Sequence, residues 1–103
     1  MPALDFTTDA ATAADTTHTA IETADFPTGG DDLTIAGGVT VIVTSGNLTL
    51  IAGDDVILQS GSRAIASGSV LVAIGGRSGD LDSLGGIQSH GLVQGTNVTF
   101  VGF

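Results

Sequence analysis

An all-β fold, a short parallel β-solenoid, is what this sequence predicts, and three observations predict it. Brief apolar runs recur between small polar corners. Sixteen glycines and two prolines punctuate 103 residues, which breaks the chain too often for long helices. The apolar residues make up 42% of the chain, yet only four are aromatic, all of them Phe, so any interior is filled by thin aliphatic side chains. A narrow coil suits such a set.

Residues 1–29 form the first zone. They are rich in Thr, Ala and Asp, with apolar residues thinly spaced at Leu4, Phe6, Ile21 and Phe26. Threonines lower helix propensity over Ala10 to Ala24, and no apolar stripe emerges there. This zone reads as an extended arm or loose cap, closed by Pro27-Thr28-Gly29-Gly30.

The solenoid domain is assigned to residues 30–103. Its phrases are DDLTIAGG, VTVIVTSG, GNLTLIAG, DDVILQSG, SRAIASGS and VLVAIGG. Each offers three to five β-compatible residues and then Gly with Asp, Ser or Asn, the pattern of a strand followed by a turn. Corners every seven to nine residues or so leave no room for helices between strands. The repeat distance distinguishes a coil from a sandwich. Leu33 to Val56 is 23 positions, Leu48 to Val70 is 22, and Val70 to Leu92 is 22. A rung of that length holds three strands and three corners, as in a three-faced solenoid. Pairing two strands per rung gives 15 for Leu33 to Leu48 and 14 for Val56 to Val70, which suits a flatter two-sided coil. Three faces and about three rungs are preferred. The segment RSGDLDSLGG, from Arg77, reads as a loop leaving one corner, and the chain then ends on the strand Val98-Thr99-Phe100-Val101-Gly102-Phe103.

Charge narrows the function classes. Two arginines, no lysine, ten aspartates and one glutamate give a net charge of −9. Nucleic acid binding needs a basic footprint, and attraction to anionic membrane surfaces needs the same. No stretch nears the ~20 apolar residues of a membrane span. Cysteine is absent, so disulfides, thiol chemistry and Cys-based zinc sites are excluded. The first residues, MPALDFTTDAATAAD, lack the basic and apolar regions of a standard signal peptide.

The stretch GNLTLIAGDDVILQSGS, then AIASGSVLVAIGG, the aspartate-bearing GDLD and GGIQSHGLVQGTNVTFVG, resembles the passenger repeats of filamentous haemagglutinin-like and other large repetitive bacterial surface adhesins. The resemblance covers about residues 30–102 and is one of repeat pattern, without a catalytic signature. It implies a right-handed parallel β-solenoid, secreted or surface-exposed, with a structural or adhesive role. Those proteins are very long and carry secretion and anchoring domains, which these 103 residues are not expected to hold, and the Thr/Ala/Asp zone has no counterpart in the repeat.

Candidate sites are few. Asp80 and Asp82, two carboxylates at i and i+2 in the loop, are the candidate pair for calcium, beside the plainer reading of a solvated corner. No other cofactor is indicated. Asp31-Asp32 and Asp54-Asp55 lie 23 apart and are expected to stack on one edge of adjacent rungs, solvated rather than metal-bound. Asn47 and Asn97 open N-x-T sequons, candidate glycosylation sites only where the producing cell glycosylates. His18 and His90 are isolated, and Ser89-His90 comes with neither a nucleophile elbow nor an oxyanion loop, so the chain is read as no enzyme. A Thr-ladder face for ice is disfavoured, because Thr34, Thr40, Thr49 and Thr99 are not expected to align.

A short solenoid has two ends with unpaired strand groups and apolar interior. Polar capping repeats normally blunt them. The last strand here is apolar, which leaves two fates: membership of a longer solenoid, or stacking of copies on one another. Stacking is favoured. The expected assembly residues are Leu4, Phe6 and Phe26 on the arm and Phe100, Val101 and Phe103 at the end. The expected function is a structural subunit that stacks head-to-tail into an extracellular filament or matrix fibre, its partner being itself. The alternative is an adhesin passenger fragment at the cell surface that binds a surface or glycan through its loops.

Overall fold

The computed structural model of the chain describes residues 4–20, 32–53, 55–74 and 86–102. Twelve strands are present among them: β1 (Leu4–Phe6), β2 (Ala10–Thr12), β3 (Thr16–Ala20), β4 (Leu33–Ile35), β5 (Thr40–Val43), β6 (Leu48–Ala52), β7 (Val56–Leu58), β8 (Arg63–Ala66), β9 (Val70–Ile74), β10 (Ile87–Ser89), β11 (Leu92–Gln94) and β12 (Val98–Gly102). They form three four-stranded sheets, in the orders β1-β4-β7-β10, β2-β5-β8-β11 and β3-β6-β9-β12, with every pairing parallel. Each run of three consecutive strands is therefore one turn of a three-faced coil. The parallel β-solenoid is the fold.

Strand pairing replaces the arm with a rung. Residues 30–103 supply β4 to β12, the three rungs expected of them, while β1, β2 and β3 pair in register with β4, β5 and β6 and add a fourth. Three-residue strands are too short to display a period, and threonine is as much a strand former as a helix breaker. Leu4 lies beside Leu33, Phe6 beside Ile35, Ala10 beside Val41 and Ala20 beside Ala52, so the apolar residues of β1 to β3 extend the core columns, while Thr12, Thr16 and His18 lie beside Val43, Leu48 and Leu50.

The rung length holds where the chain is tightly wound. Leu33 faces Val56, 23 positions on, and Leu48 faces Val70, 22 positions on. The third expected spacing is corrected: Val70 faces Val98, and Leu92 lies in another sheet beside Arg63. The reason is the connection between β9 and β10, residues 75–86, which lengthens that turn of the coil. The connection between β3 and β4 is long as well, and both leave the third sheet for the first.

Alternation decides the interior. Along β6 the pattern is buried, half-buried, buried, half-buried, buried, and β4 and β7 repeat it over three residues. Leu33, Ile35, Leu48, Leu50, Val56, Leu58, Val70 and Val72 are almost wholly withdrawn from water. In a parallel coil each inward residue lies on its counterpart one rung away, about 4.8 Å distant. Val41 over Ala64 and Val43 over Ala66 show how small residues fit where the sides converge.

The corners repeat their turn chemistry. Val39 N–H donates to the Ala36 carbonyl at 3.1 Å, and Ser62 N–H to the Gln59 carbonyl at 2.9 Å, closing two equivalent four-residue turns. Each holds glycine third, Gly38 with φ +81° and Gly61 with φ +89°, the value a type II turn demands there. The two turns lie one above the other, and a Cβ at Gly37 would come within 2.6 Å of the Ser60 carbonyl oxygen.

Candidate functional site

The two ends of the coil differ in chemistry. In the first rung the inward register holds Leu4, Phe6, Ala10, Thr12, Thr16, His18 and Ala20. Its polar members satisfy one another locally. Thr12 and Thr16 share a hydroxyl–hydroxyl hydrogen bond of 2.6 Å, and Thr16 Oγ1 donates to the Ala14 carbonyl at 2.8 Å. His18 meets the Phe6 ring edge-on, with centroids 4.8 Å apart at 79°. Burial lowers the His18 pKa below its ordinary value of 6.5, so the imidazole is held neutral against the ring. These residues are what a polar capping repeat provides.

At the other end, β10, β11 and β12 are the last strands of their sheets. By register Ile87, Val93, Val98 and Phe100 continue the inner columns begun by Val56, Ala64, Val70 and Val72. Val98 is nevertheless 39% exposed and Phe100 47%, and with the outward-facing Leu92 they are the exposed large apolar residues among the described ones. Residues 86–102 contain no Asp, Glu, Lys or Arg, in a chain of net charge −9. An uncharged rung ends on an apolar face. This face is the candidate site, and no cavity opens among the described residues.

Along the corners runs a second device, built from side-chain oxygens. Asp15 Oδ1 accepts the Asn47 N–H at 2.9 Å, and Asn47 Oδ1 accepts the Ser69 N–H at 2.8 Å. Asp32 Oδ1 accepts the Asp55 N–H at 3.2 Å, and Asp55 Oδ1 accepts the Gly86 N–H at 2.7 Å. Asp9 Oδ1 accepts the Thr40 N–H at 2.8 Å. In these five the oxygen belongs to one rung and the amide to the next rung toward the C-terminus, whereas Gln59 Oε1 accepts the Gly37 N–H at 3.2 Å and Ser67 Oγ the Gly46 N–H at 3.0 Å in the opposite sense. Asp32 and Asp55 thus stack as the 23-residue spacing predicts. An amide between carboxylates, rather than solvation alone, relieves their repulsion.

The sequence-predicted residues are placed as follows. Leu4 and Phe6 are half-buried against the core on the first rung, not on a free arm. Phe100 lies on the exposed face. Val101 falls on the outward register of β12, half-buried beside Ala73. Asn47 is a corner residue whose carboxamide oxygen is taken up by Ser69, and Asn97 is exposed on the last rung. Phe26, Phe103, Asp80 and Asp82 lie outside the described residues. Among the described residues no three His, Asp or Glu side chains are grouped to hold a metal ion, and no helix is long and apolar enough to cross a membrane. Thr17, Thr49 and Thr99 share one outward column, although Leu71 interrupts it. That alignment needed the long connections to be placed, which spacing alone does not do. Sequence reasoning missed His18 and Thr16 as cap residues; their i, i+2 alternation after Asp15 was the available signal.

The chain matches no family model, no curated protein and no solved structure.

Proposed function

We propose that the chain is a structural subunit that stacks head-to-tail, coil end on coil end, into an extracellular filament or matrix fibre. The observation that carries this is the uncharged last rung, with Val98 and Phe100 in the core register yet open to solvent. Covering such residues stabilises by roughly 25 cal/mol for each Å² removed from water. A contact between opposite ends does not close on itself, and repetition of it builds a fibre. The acidic corners keep fibres apart laterally while the neutral end lets them grow lengthwise.

Sedimentation velocity of the purified chain over a hundredfold concentration range, with negative-stain electron microscopy, tests the reading. Concentration-dependent rods are expected. Phe100→Asp should leave the circular dichroism of the fold intact and abolish the rods. A wild-type chain that stays a monomer at high concentration would end the proposal.

A second reading is favoured by the two long connections on one corner, between β3 and β4 and between β9 and β10. Long connections that leave the third sheet of a rigid coil for the first suit recognition of a surface or glycan, the adhesin passenger role. A monomer that binds glycans through those connections would support this second reading against the first.

A further inference from the structure

We infer that the seam between copies is in register, with β10, β11 and β12 of one copy paired in parallel with β1, β2 and β3 of the next. This rests on the stacking reading and specifies its geometry. The first observation is length. The strands of the first rung have three, three and five residues, and those of the last rung have three, three and five. In the column register β10 then matches β1 and β12 matches β3 end to end, while β11 lies one residue out of step with β2, Val93 opposite Ala10. The second is column chemistry. In register, Ile87 meets Leu4, Ser89 meets Phe6, Val93 meets Ala10, Val98 meets Thr16 and Phe100 meets His18, so the small Ser89 lies opposite the large Phe6.

The third observation is the polar column at the corner before the five-residue strands, Asp15, Asn47, Ser69 and Asn97. Thr16 N–H donates to the Asn47 carbonyl, Leu48 N–H to the Ser69 carbonyl and Val70 N–H to the Asn97 carbonyl, at 2.8 to 2.9 Å. Continued once more, Val98 N–H donates to the Asp15 carbonyl of the next copy. Asn97 Oδ1 then accepts that copy's Asp15 N–H, as Asn47 Oδ1 accepts from Ser69. Asn97 thus places the rule that joins rungs within the chain at its edge, where it joins chains. Charge sets the same polarity. Two first rungs face to face bring Asp5, Asp9 and Asp15 of both copies together, whereas the last rung brings no charge to either partner.

Disulfide trapping tests this, helped by a chain without cysteine. Thr17 and Thr99 are exposed, point outward and fall opposite one another across the predicted seam. Neighbouring strands hold their Cα atoms about 5 Å apart, within the range a disulfide spans. The variant carrying Thr17→Cys and Thr99→Cys should give a covalent ladder of many copies on mild oxidation. Thr17→Cys with Gln94→Cys, which lie on different sheets, should give none. Asn97→Ala should weaken association roughly fivefold to tenfold, the size of one lost hydrogen bond. Rods without a Thr17/Thr99 ladder would overturn the register and leave stacking standing. Dimers from Thr99→Cys alone would show tail-to-tail contact and overturn both the register and the head-to-tail fibre. No assembly at all would remove the stacking reading itself.

Discussion

Asn47 and Ser69 occupy the same corner of successive rungs, and the Asn47 carboxamide oxygen accepts the Ser69 N–H at 2.8 Å. Gly68 lies directly against that oxygen. A Cβ at Gly68 would collide with Asn47 Oδ1 and approach the Gly46 carbonyl oxygen to 2.7 Å, backbone that cannot swing aside. Gly68 N–H itself donates to that carbonyl at 2.8 Å. Gly68→Ala should destabilise by about 1–3 kcal/mol, the usual range for overpacking. Asn47→Ala should cost about 0.5–1.5 kcal/mol through the lost bond, and Asn47→Asp less. Urea denaturation of the three variants ranks them, and an unchanged midpoint for Gly68→Ala would contradict the close approach.

Ser62 gives a prediction of the opposite sign. Its hydroxyl is buried, with the residue 1% exposed, and makes no hydrogen bond among the described residues. It abuts Gly91 of the next rung so closely that a Cβ there would overlap it. Deleting an unsatisfied buried hydroxyl recovers its desolvation cost. Ser62→Ala should therefore stabilise the fold, by about 1 kcal/mol, while Gly91→Ala should destabilise it. Thermal melts of the pair check both signs.

His18 predicts a pH dependence. Burial lowers its pKa in the folded state, so the unfolded chain takes up the proton first as pH falls. Stability is level above the unfolded pKa of about 6.5 and declines between that value and the lower folded one. Denaturation midpoints from pH 8 down to 5.5 should show this decline in the wild type and lose most of it in His18→Gln. An identical slope in both would refute the assignment.

The interior itself is tested at Leu50, which is fully buried between His18 on one rung and Val72 on the other. Leu50→Ala should cost about 2–5 kcal/mol, the range for emptying such a site. Ile57→Ala, on the half-buried outer register of β7, should cost much less. Chemical denaturation that finds the two equal would mean the inward alternation is misassigned.

Much of this fold is legible in the residues because a solenoid writes locally. The alternation in Leu48-Thr49-Leu50-Ile51-Ala52 says which side chains face in, and the Gly-containing corners say where each side ends. The 22 to 23 residue return from Leu33 to Val56 and from Leu48 to Val70 then favours three faces over two, and the pairing bears that out. The first rung was illegible for a physical reason. Its inward set of Leu4, Phe6, Ala10, Thr12, Thr16 and His18 mixes apolar with polar, so the hydrophobic alternation that marks the inner rungs is absent there. The last strand divides the same way: that Val98, Phe100 and Val101 are apolar is legible in the residues, whereas the inward register of Phe100 and the outward one of Val101 follow from the pairing with β9.

Composition and spacing alone determined that this chain is a narrow, acidic, all-β coil with aspartate at its corners. Only the tertiary structure decided how many rungs it has, which aspartates bridge them, and that one end is polar while the other is bare. The physical reason is that alternation and turn chemistry act over a few residues, whereas the pairing of β1 with β4 and of β9 with β12 spans about 30 and depends on connections whose length carries no periodic signal.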